Sequence, residues 1–392
     1  MSIDRRDFLS TSASAFAAIA ASAGLAAASD AEAARPAQTP GQPPAQNPPV
    51  AVTAPGVGPT KLGEKDRLLR IASNSYAVRG LFKNRNTGRG GAGAGGQGAA
   101  MKQKYGEITM LDFPQFTKDT YPGVTHMDIF SSLMGDVTDD SMYTKRPDGG
   151  PGTFDPSTPS GRKWLDQLAA KCVSTGVKVQ HVSNNAPTNL ASTDDAQRKE
   201  GVAIAKRWLD GCAGLGIRSM RMNSVTALGP PLRPQAIPRS SDGYPRNVDI
   251  MLPLSKAIES YKEMADHGGK LGIKVTIENH WGLAADPINI RIMLDEVNHP
   301  YCEASPDFCN WEYEYMLVSG LKAVAPYAHT NVHAKYWDRW GDYNDVRRST
   351  KIMLAAGFKG TFALEYETGP LNGVEGSKYL FKEVMAALEE FA

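Results

Sequence analysis

Residues 66–392 predict a single α/β domain, a closed parallel (β/α)8 TIM barrel, on three observations. Short apolar runs of strand character alternate with helical patterns along the whole stretch. The alternation yields eight strands and eight helices, the count of a closed barrel. From the fifth strand onward each run ends in, or carries near its end, one carboxylate or imidazole. These are Glu278, Asp307, His333 and Glu365, separated by 29, 26 and 32 residues. A strand–helix unit that returns to a parallel neighbour takes about 30 residues.

In chain order, the strands are predicted at 68–73, 124–130, 177–182, 217–223, 275–278, 302–307, 330–335 and 361–365. Each is a short run rich in β-branched or apolar residues, bounded by turn-forming residues. The helices are predicted at 111–121, 161–175, 194–215, 252–271, 288–297, 312–324, 343–356 and 377–391. Apolar residues recur there at helical spacing, and Gly216, Gly272 and Gly357 stand where three of them stop.

The stretch 275–282, Val-Thr-Ile-Glu-Asn-His-Trp-Gly, is the centre of the pattern. Its apolar run stops at Glu278, which places a carboxylate at the carboxyl end of a strand, where parallel α/β proteins build their sites. Along 329–335 alternation puts His329, Asn331, His333 and Lys335 on one face and Thr330, Val332 and Ala334 on the other. One polar face and one small or apolar face suit a strand that lines a pocket.

The regions outside the barrel read differently. Asp4-Arg5-Arg6-Asp7-Phe8-Leu9-Ser10, followed by an Ala-rich run, resembles a twin-arginine export signal over residues 1–34. The run is too short and too rich in Ala and Ser for a membrane span. The expected location is therefore the periplasm or another extracytoplasmic space, reached through the twin-arginine (Tat) export machinery, with no stable membrane insertion after signal removal. Residues 35–65 are rich in Pro, Gln and Ala and read as a linker. A Gly-rich insertion at 86–100 contains a formal Gly-x-Gly-x-x-Gly match at 91–96. It lies inside a run of glycines rather than between a strand end and a helix start, so it reads as a surface insertion and not a dinucleotide site. The Pro-rich loop 229–246 is long enough for a rim or lid.

Composition narrows the function classes. Lys and Arg number 43 against 42 Asp and Glu, a net charge of +1, so the basic excess of a nucleic-acid enzyme is missing. Four cysteines, Cys172, Cys212, Cys302 and Cys309, show no Cys-x-x-Cys spacing and read as buried thiols, with a Cys302–Cys309 bridge as the alternative.

Three carboxylates and one imidazole form a hard-to-borderline site for one divalent cation, Mn²⁺ first, with Mg²⁺, Co²⁺ or Zn²⁺ as alternatives. Four protein ligands leave two positions of an octahedral shell for a hydroxyl–carbonyl pair on a sugar. The stretches Thr276-Ile-Glu-Asn-His-Trp-Gly282, Ser305-Pro-Asp-Phe-Cys-Asn310, Asn331-Val-His-Ala-Lys335 and Leu364-Glu-Tyr-Glu367 resemble the sugar isomerase/epimerase branch of the xylose-isomerase-like barrels. The resemblance covers most of 66–392. It implies that Glu278, Asp307, His333 and Glu365 hold one metal and that Glu278 and Glu365 form the acid/base pair. The implied reaction is proton abstraction next to a carbonyl through a metal-stabilised enediolate. The Gly-rich insertion, the long second βα loop and the export signal depart from the cytoplasmic members.

Further candidates surround that quartet. His181, Arg221, Asn223, His280, Asn310, Lys335 and Trp337 are expected to bind substrate. His280, Trp281, Trp311 and Trp337 are candidates for an apolar wall against a sugar ring, while His126, His267 and His299 read as surface or helix-end residues. Two other reactions compete. A lyase or hydratase acting on 3-keto-glycosides by β-elimination needs the same acidified C–H. A phosphodiesterase of the abasic-DNA endonuclease type needs more histidines and basic loops than this chain offers. The expected partner is a small sugar or sugar derivative. A homo-oligomer is allowed by the sequence but not specified by it.

Overall fold

Strands start in this chain shortly after a helix has been stopped. The computed structural model describes residues 62–83, 85, 96–145, 152–223, 250–311 and 313–391. The export pattern, the linker through residue 61, the Gly-rich stretch 86–95 and the loop 229–246 lie outside them. The strands are β1 Ile71–Asn74, β2 His126–Phe130, β3 Lys178–Ser183, β4 Ser219–Arg221, β5 Lys274–Ile277, β6 Cys302–Ala304, β7 Asn331–Trp337 and β8 Thr361–Thr368. They form one eight-stranded parallel sheet in the order β6-β5-β4-β3-β2-β1-β8-β7. The two edges meet through bridges Ala304–Ala328 and Asp307–His333, so the sheet curls into a (β/α)8 barrel with its seam between β6 and β7.

The helices are α1 Glu64–Leu68, α2 Gly96–Tyr105, α3 Phe113–Thr120, α4 Pro159–Thr175, α5 Asp195–Cys212, α6 Met251–Leu271, α7 Pro287–Val297, α8 Met316–Val324, α9 Val346–Ala355 and α10 Gly373–Phe391. Local chemistry sets their ends. Thr158, Asp194, Asp286 and Asp345 accept from first-turn backbone N–H groups of α4, α5, α7 and α9. Gly176 and Gly272 close α4 and α6 at φ of 74° and 72°, a left-handed conformation that costs glycine little. No helix among the described residues is long and apolar enough to cross a membrane.

The differences from the sequence reading have physical reasons. The chain just before β1 is helical, so the strand begins at Ile71 rather than 68. The part of the Gly-rich insertion from Gly96 onward is the start of α2. Its Ala, Met, Lys and Gln residues are good helix formers, and Met101 buries against Gly80 and Gly373. β6 stops at Ala304 because Pro306 has no N–H to donate to a ladder. The seam continues instead through Phe308 N–H to His333 O at 3.1 Å and His333 N–H to Pro306 O at 3.1 Å. The four cysteines are all free thiols, with Cys172, Cys212 and Cys309 buried.

The last helix locks β8 from outside. A Cβ at Gly376 would lie 2.3–2.5 Å from three ring atoms of Tyr366, the neighbour of Glu365 on β8. These ring atoms lie close to the Tyr366 backbone and cannot swing away. Gly376→Ala is therefore expected to cost about 1–3 kcal/mol of stability, as overpacking does, read as a lower midpoint in chemical denaturation. An unchanged midpoint would show that α10 can lift off β8 freely.

Candidate metal centre

The seam places Asp307 and His333 opposite each other, and β5 and β8 bring Glu278 and Glu365 to the same spot. His333 Nδ1 lies 3.2 Å from Glu278 Oε2, 3.4 Å from Glu365 Oε2 and 3.7 Å from Asp307 Oδ2. All four residues are buried. Neither His333 Nδ1 nor Asp307 Oδ2 has a hydrogen-bond partner. Buried polar atoms are rarely left so, because each costs about 1–3 kcal/mol. Adjacent ligand atoms on a small octahedral cation are about 3 Å apart, close to the separations seen. Glu278, Asp307 and His333 bring ligand atoms within 4.8 Å of one another and fit a divalent cation, and Glu365 approaches the group at His333 Nδ1.

Other atoms fix the ligands from behind. Asp307 Oδ1 accepts from Cys309 N–H at 2.6 Å and Asn310 N–H at 3.0 Å, which leaves Oδ2 for the centre. Asn279 clamps the Asp307 backbone, accepting its N–H at 2.7 Å and donating to its carbonyl at 2.9 Å. His333 Nε2 donates to Asp128 Oδ2 at 2.8 Å, and Ser183 Oγ is 3.1 Å away. This carboxylate sets the tautomer that keeps a lone pair on Nδ1. Asp128 also accepts from Ser183 Oγ at 2.8 Å and Asn331 Nδ2 at 3.0 Å.

The electrostatics split the two glutamates. Burial opposes charge on Glu278, but Arg221, whose Nη1 is 2.8 Å from Oε2, and His333 outweigh it and hold the carboxyl well below the usual range. Burial pushes Glu365 up, and the charges of Asp307 and Glu278 add to it. Lys335 and His333 oppose the rise without cancelling it. Burial also opposes charge on His333, yet Glu278, Glu365 and Asp128 raise it well above an ordinary imidazole. The carboxylates around the ring demand a positive charge, which the Nδ1 proton supplies and which a bound cation would supply in its place.

A cavity of about 310 Å³ opens beside this cluster, bounded by Tyr76, Phe130, Arg221, Trp281, Trp337 and Glu365 among others. Of the residues expected to bind substrate, Arg221, His280, Asn310, Lys335 and Trp337 line it. Arg221 is already tied to Glu278, to Asn185 Oδ1 at 2.6 Å and to the Asn184 carbonyl at 3.1 Å. Asn310 donates to Glu278 Oε1 at 3.1 Å. Lys335 Nζ reaches Asn310 Oδ1 at 3.0 Å, Glu365 Oε1 at 3.0 Å and Glu367 Oε2 at 2.9 Å. His181 and Asn223 are buried without lining the cavity. His181 Nδ1 contacts Ser219 Oγ at 2.7 Å and its ring packs edge-on to His333, while Asn223 Nδ2 is 3.4 Å from His280 Nδ1. Burial drives both His181 and His280 down to about 4.

The aromatic set divides as well. Trp281 and Trp337 meet edge to face at 6.1 Å on the cavity wall. Trp281 has φ 65° and ψ 180°, a backbone region almost reserved for glycine, and such strain collects at functional sites. Trp311 is fully buried and packs on Gly320 of α8, away from the cavity. His126 starts β2 and is half-buried, so it is a strand residue. His267 contacts Asp210, and His299 follows α7 near Asp266.

Asp128, Asn279, Asn74, Tyr76 and Glu367 are the functional candidates that sequence reading missed. Asp128 carried a usable signal, as the single carboxylate within a five-residue strand. Glu367 shares a β8 face with Glu365. Lys335, Arg79 and Tyr76 overcome the penalty of burial and hold Glu367 down to about 2.

A family profile described as xylose isomerase-like TIM barrel matches residues 144–390, more than half of the chain. The chain belongs to this family. Solved barrels of similar structure include a xylose isomerase-like TIM barrel protein from Mycobacterium smegmatis in complex with magnesium, at 17% identity and TM-score 0.52, covering 82% of this chain and 99% of that one. An L-ribulose 3-epimerase follows at 12% identity and TM-score 0.55, covering 82% and 95%. A 3-keto-D-glucoside 4-epimerase from E. coli is similar at 10% identity and TM-score 0.50, covering 80% and 99%. At such identities the likeness establishes the barrel. No curated protein matches the sequence significantly.

Proposed function

We propose that this member of the family is a divalent-metal-dependent sugar isomerase or epimerase. The observation that carries the reading is His333 Nδ1 with three carboxylate oxygens around it, Nδ1 and Asp307 Oδ2 being buried with no hydrogen bond. Glu278, Asp307, His333 and Glu365 would hold the cation. Mn²⁺ is the first choice for three carboxylates and an imidazole, with Mg²⁺, Co²⁺ and Zn²⁺ as alternatives. Such a cation supplies Lewis acidity toward a carbonyl and the neighbouring hydroxyl, which acidifies the C–H between them.

The chain supplies the proton transfers. Glu278, kept ionised by Arg221, is suited to accept the proton. Glu365, raised by its surroundings, is the readier donor on the other side. Lys335 steadies Glu365 Oε1, and Trp281 and Trp337, set edge to face, offer an angled apolar wall to a sugar ring. The sugar epimerases among the structural neighbours accord with this reading. The Asp4–Ser10 pattern supports action outside the cytoplasm.

The metal is tested without turnover. Adding Mn²⁺ at about 100 times its Kd should stabilise the fold by ~2.7 kcal/mol, read as a higher thermal midpoint that EDTA reverses. If none of Mn²⁺, Mg²⁺, Co²⁺ or Zn²⁺ shifts the midpoint, the metal assignment is wrong. The reaction is tested by incubating metal-loaded enzyme with free and 3-keto sugars in D₂O. Deuterium at a carbon next to the carbonyl, with the skeleton intact, is the expected result. Release of an aglycone instead would replace epimerisation by β-elimination at the same site, and no exchange with any sugar would sink both.

A further inference from the structure

The cavity beside the metal centre is not the only one at this end of the barrel. A second, of about 400 Å³, lies against it, and Asn185 lines both. The two loops that build the first wall also build the second. Phe130 faces the metal cavity, while Ser131 and Ser132 face the other. Ser183 faces the metal cavity, while residues 186–189 face the other. Either volume alone falls in the range of a small-ligand pocket, about 300–1,000 Å³.

Asn185 is held from both sides. Its Oδ1 accepts from Arg221 Nη2 at 2.6 Å, the same guanidinium that holds Glu278. Its backbone N–H donates to Ser131 Oγ at 3.0 Å, and its Nδ2 is 3.5 Å from Ser132 Oγ. It forms a fixed post between a catalytic carboxylate and the mouth of the second cavity.

The lining of the second cavity indicates its occupant. Phe154 meets Tyr143 edge-on at 6.2 Å and Trp208 at 5.9 Å, and all three rings border the space with the hydroxyls of Ser131, Ser132 and Thr188. An angled aromatic corner edged by hydroxyls matches a sugar or aryl ring, which can lay one face on a ring and meet the edge of the next. Charges of both signs stand on the rim, Lys83 and Arg207 against Asp155 and Glu200. The remaining cation, Arg85, is paired with Asp140 and lies over the Tyr143 ring at 4.1 Å. The lining carries three cations and two carboxylates, so it selects for neither sign of charge and suits a neutral ligand.

We propose that the second cavity binds the aglycone half, a second sugar or an aryl group, of a neutral glycoside whose other ring occupies the metal cavity. The inference rests on the reading that the metal cavity takes a sugar, and it extends that reading from a free monosaccharide to a two-part substrate. It concerns binding, so it can be tested apart from the reaction.

Calorimetric titration of the metal-loaded enzyme with methyl β-glucoside and with cellobiose measures the subsite directly. Cellobiose should bind about tenfold more tightly, a difference of ~1.4 kcal/mol. Thr188→Trp and Glu200→Trp, at two exposed positions on the second cavity, should each abolish that advantage and leave methyl glucoside binding unchanged. Equal affinities in the wild type overturn the subsite, as do variants that weaken both ligands alike or neither, or a failure of cellobiose to bind. The outcome is separable from that of the deuterium experiment. A cellobiose advantage lost in the variants, with no exchange seen, keeps the subsite and removes the epimerase reading. Exchange with equal affinities does the reverse.

Discussion

Glu365→Gln is expected to lower turnover by about 10² to 10⁴, the usual contribution of a positioned acid or base, while the protein keeps its fold and its metal. The substitution retains an oxygen that can face the cation and removes the proton-carrying group. Glu365 is the carboxylate whose surroundings push it up, through burial first and then through Asp307 and Glu278. Its Oε1 is held by Lys335 at 3.0 Å, and Oε2 accepts from Asn74 at 3.3 Å. A glutamine whose oxygen faces the cation keeps the Asn74 hydrogen bond and gives up the one from Lys335, because its NH₂ would meet the ammonium. Steady-state rates and metal analysis on the same preparation decide the matter. Normal turnover at normal metal content would show that Glu365 is a ligand only and that the proton travels elsewhere.

Asp128→Asn should act on metal affinity instead, weakening it by about 10- to 100-fold, the range for loss of a carboxylate behind a ligating histidine. The carboxylate accepts the His333 Nε2 proton at 2.8 Å, which leaves the Nδ1 lone pair facing the centre. An asparagine can turn its NH₂ toward Nε2 and drive the proton onto Nδ1, where it blocks the cation. The side chains are nearly the same size, and the asparagine oxygen can still accept from Ser183 while the contact with Asn331 is given up, so the fold should survive the loss of one hydrogen bond. Titration with Mn²⁺ gives the affinity, and saturating Mn²⁺ should restore most of the rate. Unchanged affinity would mean that the ring is oriented by packing alone.

The two variants differ in how visible their targets are in the sequence. Glu365 is legible because it ends a strand-like run about one strand–helix unit after His333. Asp128 lies inside β2, 150 or more residues before its ligand partners, and no local pattern ties it to His333. The same holds for Asn279. It reads as a polar residue after a strand, yet it replaces the ladder that Pro306 interrupts by clamping Asp307 on both backbone groups.

The tryptophans make the point from the other side. Trp281, Trp311 and Trp337 look alike as large rings near strand ends. Trp281 and Trp337 border the cavity, while Trp311 turns outward beneath α8 because Gly320 leaves room for its ring. Likewise His181, expected to close β3, lies two residues inside it, Asn223 follows the end of β4, and both are buried away from the open space.

The amino-acid order by itself determined the alternation of strand and helix, the eightfold count, and the recurrence of Glu278, Asp307, His333 and Glu365 once per unit. These depend on local hydrophobic period and on helix-stopping residues, which act over a few positions of chain. Tertiary structure alone decided the seam between β6 and β7, the tautomer set by Asp128, the opposite shifts of Glu278 and Glu365, and the second cavity behind Asn185. Those follow from distances across the barrel, where burial strengthens every charge interaction and where residues far apart in sequence become neighbours.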